Sequence, residues 1–114
     1  MKVHHFMSDI RLYQLHANIC QTLSNPKRLE VIERLRNGES TVARLAEAMS
    51  ISQANLSQHL SIMREKGIVI ARREGINMYY RLSNPKITMA CDLMRQVLLE
   101  NLEAGAALAE ISRE

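Results

Sequence analysis

Residues 50–64 carry the pattern that most constrains the fold of this chain. Leu56, Leu60 and Met63 recur at i, i+4 and i+7, which places them on one stripe of an α-helix. Ser52 stands just before the stripe, where a side-chain oxygen can accept from the first unpaired amides of a helix. The pattern predicts a short helix that starts at Ser52 and packs one apolar side against a core.

The opposite side of this helix is polar but carries no long charged side chain. It consists of amides, hydroxyls and one methyl group, at Gln53, Ala54, Ser57, Gln58 and Ser61. These groups suit base edges in a major groove, because Gln can read adenine, Ser can pair with either base and Ala can contact the thymine methyl. The alternative interpretation is a surface helix that is merely uncharged.

The composition is that of a globular protein with room for one core. The chain has 114 residues, of which 46% are hydrophobic and 24% charged, and a net charge of +3. This mildly basic balance is compatible with nucleic-acid binding without requiring it. No apolar run approaches the ~20 residues of a membrane span, and no signal-peptide pattern is visible. Two distant cysteines form no disulfide framework, so we expect a reducing, cytoplasmic location.

The order of predicted elements is α-α-α-α-β-β-α, a mainly α (α+β) fold in a single domain over residues 1–114. Helices are expected at about 8–23, 26–36, 39–49, 52–66 and 85–102, and strands at 68–71 and 78–82. Residues 1–7 are expected to be a loose end, and 104–114 either continue the last helix or fray. Two short helices joined by a few residues have helix-turn-helix spacing, and the hairpin that follows forms a wing.

Three basic residues near this unit are further candidates for DNA contact. Arg72 and Arg73 are expected in a polar turn at the tip of the wing, where they can touch phosphate or the minor groove. A solvated hairpin tip is the alternative. His59 lies beside the apolar stripe of its helix, so it either packs there or reaches a phosphate.

The first and last helices carry apolar stripes that the compact unit does not use. The stripes comprise Leu12, Leu15, Ile19 and Leu23 on the first helix, and Ala90, Leu93, Met94 and Val97 on the last. Small domains gain stability by burying such stripes against a partner. We therefore predict a two-fold homodimer through these two helices.

Taken together, several segments resemble the ArsR/SmtB family of winged-helix repressors, over roughly residues 12–103. They are Leu23–Leu29, Leu45-Ala46, Ser52–Leu60, Ile62–Arg64, Gly67–Val69, Arg72–Gly75 and Tyr79–Leu82. The resemblance implies a homodimeric repressor that binds operator DNA and is released from it by an inducer.

The sensing sites known in that family do not match this chain. Where some members have a Cys-Val-Cys segment, this chain has Thr41-Val42-Ala43. The positions that correspond to a zinc site across the last helices and to a persulfide-sensing cysteine pair are also changed. The zinc-site positions hold Asn84, Lys86, Val97 and Glu100, of which the first three are non-ligands. The positions of the cysteine pair hold Glu33 and Leu99.

Cys20, Cys91 and His16 are the remaining candidates for a sensor. His16 and Cys20 are four residues apart on one helix face, so they could chelate a soft metal ion with help from Cys91. A thiol modification or redox link between the two cysteines is a second interpretation. A third interpretation is that both cysteines are small buried apolar residues with no role in sensing. The sequence does not identify a metal.

Enzymatic function is not expected. The chain has no Gly-rich phosphate loop, no Gly-x-Ser-x-Gly and no paired His-Glu metal motif. The remaining alternatives to an inducible repressor are a winged helix that binds other proteins and a repressor with no sensing site.

Overall fold

The structure is a computed structural model that describes residues 8–113, with the side chains of 8–106 and 110. The expected loose end at residues 1–7 lies outside the described residues. The chain divides into two compact units, one that ends at Asn84 and one that starts at Pro85. Across the described residues, no helix has the length and apolar character needed to cross a membrane.

The first unit contains four helices and three strands. They are α1 (Asp9–Leu23), α2 (Pro26–Arg34), β1 (Ser40–Thr41), α3 (Val42–Met49), α4 (Gln53–Glu65), β2 (Val69–Glu74) and β3 (Asn77–Leu82). The second unit is the single helix α5 (Lys86–Arg113), which continues through the C-terminal segment that was expected either to continue it or to fray. The helix-turn-helix and the wing are therefore confirmed.

Strand β1 is an element that the predicted order lacks. Residues 39–41 were expected to open the third helix, but Ser40 pairs with Tyr80 and Thr41 with Tyr79 in an antiparallel ladder. The sheet has three strands in the order β1-β3-β2. Thr41 also caps α3 by accepting from the amide of Arg44, so the strand leads directly into the helix-turn-helix.

Local capping explains where the helices begin. Ser8, Asn25 and Ser52 adopt extended backbone and accept from amides in the first turns of α1, α2 and α4. Pro26 follows Asn25 at the first helical position, where no amide is needed. Between α3 and α4, Ser50 takes the left-handed conformation with φ 56°, which makes the tight turn of the motif.

The core of the described chain is formed by apolar side chains from α2, α3, α4 and the start of β2. Its buried members are Val31, Ile32, Leu35, Leu45, Ala46, Met49, Leu56, Leu60, Met63, Ile68 and Val69. The spacing of Leu29, Ile32 and Leu35 in the sequence predicts that all three point inward. This prediction is wrong for Leu29, which is 38% exposed, and Val31 takes a core position instead.

The tip of the wing also differs from the prediction. Arg72 and Arg73 lie within β2, paired with Tyr79 and Met78, and the ladder continues to Glu74 opposite Asn77. The turn is therefore only Gly75-Ile76. Gly75 has φ 63°, and the first position of a two-residue hairpin turn favours glycine because glycine adopts positive φ without steric cost. The two arginines are thus on the arm of the wing and not at its tip.

Candidate nucleic-acid interface

Helix α4 has the two faces that its sequence predicts. Leu56, Leu60 and Met63 are fully buried. The side chains of the outer face are all exposed, namely Gln53, Ala54, Ser57, Gln58 and Ser61. Within the described part of the chain, none of these polar side chains has an internal partner. Their donors and acceptors are therefore available to an external ligand.

An open cleft of about 260 Å³ lies between the start of α3, the start of α4 and the end of the wing. The residues that line it are Thr41, Val42, Ala43, Gln53, Ser57, Ile76, Asn77 and Met78. They are uncharged, and the polar ones can both donate and accept hydrogen bonds. The cleft brings the outer face of α4 and the wing to one surface, although they are distant in sequence.

His59 packs inward and contacts α2. The Nε of Arg28 donates to Nδ1 of His59 at 3.2 Å, and Nη1 of Arg28 donates to the carbonyl of Thr22 at 3.2 Å. One guanidinium thus joins α1, α2 and α4. Because Nδ1 accepts, the neutral imidazole carries its proton on Nε2. Of the two predicted environments for His59, the structure shows the packed one, and a phosphate contact through Nε2 stays a prediction.

Burial lowers the pKa of His59 below its ordinary value of 6.5, and the positive charges of Arg28 and Lys27 lower it further. Protonation would also turn Nδ1 into a donor, which cannot accept from Arg28. The unfolded chain therefore binds more protons than the folded chain as the pH falls below 6.5. The contribution of neutral His59 to stability is complete above that pH and is lost as the pH falls through the folded pKa.

We expect the free energy of unfolding of the wild type to fall between pH 7.5 and 5 by more than that of a His59→Asn variant. Asn keeps an acceptor near the position of Nδ1 but does not titrate, and every other residue is the same in both proteins. Urea unfolding across this pH range measures the difference. Parallel pH profiles for the two proteins would contradict the role of His59.

Arg72 and Arg73 have different surroundings, although they are neighbours in β2. Arg72 binds the carboxylates of Glu39 and Glu74 and stacks on Tyr79. Arg73 is exposed and, within the described part of the chain, its side chain has no hydrogen bond or ion pair. The two arginines cannot be distinguished from the sequence alone, because Glu39 is far from Arg72 along the chain.

The three sensor candidates are not assembled into a metal site by the described residues. No group of three His, Cys, Asp or Glu side chains in that part of the chain could hold a metal ion. Both cysteines are thiols; Cys20 is exposed and Cys91 is half-buried. The interpretation of both as buried side chains does not describe this protomer, and the sensor role of His16, Cys20 and Cys91 stays a prediction.

Comparison with known proteins identifies the group to which this architecture belongs. Residues 25–71 match the family described as bacterial regulatory protein, arsR family. The HTH-type transcriptional regulator Rv0081 of Mycobacterium tuberculosis is 34% identical over 105 residues, which cover 91% of this chain and 92% of that protein. The chain belongs to the arsR family. The crystal structure of Rv0081 matches with a TM-score of 0.74 over 81% of this chain and 93% of that one.

Two further solved structures resemble this member of the arsR family. A homodimeric winged helix-turn-helix DNA-binding domain of Mycobacterium bovis is 28% identical, with a TM-score of 0.75, over 90% of this chain and 92% of that one. The transcriptional repressor BigR of Xylella fastidiosa is 32% identical, with a TM-score of 0.67, over 85% and 96%. The family and these relatives are regulators, which agrees with the expectation that the chain is not an enzyme.

Proposed function

We propose that this arsR-family protein is a homodimeric, cytoplasmic transcriptional repressor that binds operator DNA with α4 in the major groove. The observation that carries this proposal is the outer face of α4. This face is exposed and uncharged, and its polar side chains have no hydrogen-bond partner within the described part of the chain. Side chains that read base edges are expected to be in this state. The relatives named as regulators, and the DNA-binding domain among the solved structures, support the same function.

The wing contributes the charge that a base-reading helix lacks. Half or more of the hydrogen bonds in a protein–DNA complex go to the backbone and fix the register of the protein. Arg73 is an exposed cation on β2, and its cross-strand partner Met78 lines the cleft beside Gln53 and Ser57. We infer that Arg73 contacts a phosphate while Gln53, Ala54, Ser57, Gln58 and Ser61 face the bases.

The proposal is tested by replacing Gln58 with alanine. Duplexes are first selected from a randomised pool with the wild type, and dissociation constants are then measured for the selected and a scrambled duplex. Loss of an amide that pairs with a base should cost about 1–3 kcal/mol on the selected duplex and nothing on the scrambled one.

Gln96→Ala is the matched control, because it removes the same amide from an exposed position on α5. It should bind both duplexes as the wild type does. If Gln58→Ala discriminated between the two duplexes as well as the wild type, the assignment of the outer face to base readout would be wrong.

A winged helix that docks on another protein is the competing function. DNA binding releases counterions, so the logarithm of the affinity falls steeply and linearly with the logarithm of the salt concentration. Docking on a protein releases no comparable ion atmosphere. Failure to enrich any duplex, or a flat salt dependence, would favour this alternative.

A further inference from the structure

Arg72 is held on three sides by groups of its own chain. Its Nε donates to Oε2 of Glu39 at 3.1 Å, and Nη2 donates to the other oxygen of the same carboxylate. Nη1 donates to Oε2 of Glu74 at 2.9 Å. The guanidinium carbon also lies 4.6 Å from the ring centroid of Tyr79. A bidentate carboxylate pair and an aromatic stack both fix the plane of a guanidinium, which a single-point contact does not.

These partners connect the wing to the segment that begins the helix-turn-helix. Glu39 immediately precedes β1, and β1 leads directly into α3. Only two residue pairs join β1 to β3. Tyr79 stands between the two sides, because it pairs with Thr41 on one neighbour and with Arg72 on the other. The Glu39–Arg72 pair therefore adds a second link between the wing and the segment before α3, beside a strand pairing of only two residues.

The same contacts make Arg72 a poor ligand for phosphate. Two carboxylates surround one guanidinium, so the cluster as a whole is not positive. Hydrogen bonding to Glu39 and then to Glu74 raises the pKa of Arg72, and hydrogen bonding to Arg72 lowers the pKa of Glu39. A phosphate at Arg72 would have to compete with two carboxylates that already engage three of the five N–H donors of the guanidinium.

Arg73 meets the opposite conditions. Successive residues of a strand point to opposite faces of the sheet, so Arg72 and Arg73 are directed to different sides. Arg72 shares its side with Tyr79, whereas Arg73 shares its side with Met78, which lines the cleft next to α4.

We propose that Arg72 is a positioning residue that holds the wing against the β1 segment through Glu39, and that Arg73 is the member of this pair that contacts DNA. This inference rests on the proposed function. Exposed ion pairs contribute little to stability, so the role of the pair is expected in DNA affinity, where the angle of the wing decides whether Arg73 and α4 engage DNA together.

The test compares three variants on the selected duplex over a series of salt concentrations. Arg73→Ala should weaken binding about tenfold and reduce the salt slope by about two phosphate contacts, one for each protomer of the dimer. Arg72→Ala and Glu39→Gln should each weaken binding by roughly three- to tenfold, because binding must then also fix the position of the wing. The slope should not change, since the Arg73 contact still forms in the complex. A fourth protein combines Arg72→Ala with Glu39→Gln. It should bind no more weakly than Arg72→Ala alone, because the two residues act through one pair.

The Glu39→Gln variant gives opposite results depending on whether Arg72 positions the wing or contacts DNA itself. If Arg72 contacted DNA, removing its competing carboxylate would tighten binding, and Arg72→Ala would lower the salt slope; either result overturns the proposal. Glu47→Gln is the control for the loss of one negative charge, because Glu47 is exposed on α3 without a partner among the described residues. It should bind as tightly as the wild type or slightly more tightly.

Hydrogen exchange of the DNA-free protein gives a second measurement that does not depend on the proposed function. Of the Tyr79 and Tyr80 amides, only one is directed at β1, because successive amides of the central strand β3 point to opposite neighbours. That amide should exchange several times faster in Arg72→Ala and Glu39→Gln, and at the wild-type rate in Arg73→Ala. Unchanged exchange in all three variants would overturn the positioning role even if the wild type bound no DNA. The opposite combination is also informative. If the wild type binds no duplex but exchange is faster in Arg72→Ala and Glu39→Gln, the proposed function is wrong and the role of the pair in the wing is retained.

Discussion

Replacing Leu60 with alanine is expected to lower the free energy of unfolding by about 3–4 kcal/mol. Leu60 is fully buried at the middle of α4, between the equally buried Leu56 and Met63. Truncation removes the apolar contacts of three carbon atoms and leaves a cavity, and the core around an internal helix turn can close this cavity only in part. Domains of this size have free energies of unfolding of roughly 5–15 kcal/mol, so the substitution removes a large share of the stability of the wild type.

Ser61→Ala is the control for the Leu60 variant, because Ser61 is the next residue on the same helix and is exposed. It should change stability by no more than about 0.5 kcal/mol. Urea unfolding at one fixed protein concentration measures both variants, since the stability of a dimer depends on concentration. A loss below about 1 kcal/mol for Leu60→Ala would show that α4 is not the centre of the core.

The parts of this fold that could be read from the sequence are those fixed by local chemistry. The Ser52 cap and the stripe of Leu56, Leu60 and Met63 follow from residue spacing within one helix, and both are found in the structure. The Asn25-Pro26 boundary is equally local. In each case, the residues that form the feature are within a few positions of one another.

The features that the sequence did not reveal depend on residues far apart in the chain. Strand β1 has only two residues, too few to show an alternating pattern, and it exists because β3 pairs with it. The partition of Leu29 and Val31 between surface and core depends on which helices pack against α2. The link between Glu39 and Arg72 is a tertiary contact, so the two arginines of the wing looked equivalent in sequence.

The candidate interface shows the same division. The residues of the outer face of α4 were predicted from helical spacing, and all of them are exposed. The prediction that Arg72 and Arg73 lie at the tip of the wing was wrong, because the ladder continues to the Glu74–Asn77 pair and shortens the turn to two residues. Polar residues such as Glu74 and Asn77 give little strand signal of their own, and their pairing is determined by the glycine turn beside them.

The dimer proposed above starts from an exposed apolar surface on α5. Among the described side chains of this helix, seven large apolar ones are exposed, at Met89, Leu93, Met94, Val97, Leu98, Leu99 and Leu102. An apolar surface of this extent on a single helix indicates a protein interface. The homodimeric relative of Mycobacterium bovis shows that this fold forms dimers, and α1 carries a further four exposed side chains, at Ile10, Leu12, Tyr13 and Leu15.

Replacing Val97 with glutamate is therefore expected to convert the dimer to a monomer at micromolar concentration and to weaken operator binding by at least about 100-fold. Burying an unpaired carboxylate in an apolar interface is strongly unfavourable. A monomer then binds one half-site without the gain of about 10²–10⁴ in affinity that linkage of two sites provides. Gln96→Glu is the control, because it places the same charge about 100° round the helix at an exposed polar position. Sedimentation velocity and DNA titration measure the two effects; a Val97→Glu protein that stays dimeric at micromolar concentration would exclude this side of α5 from the interface.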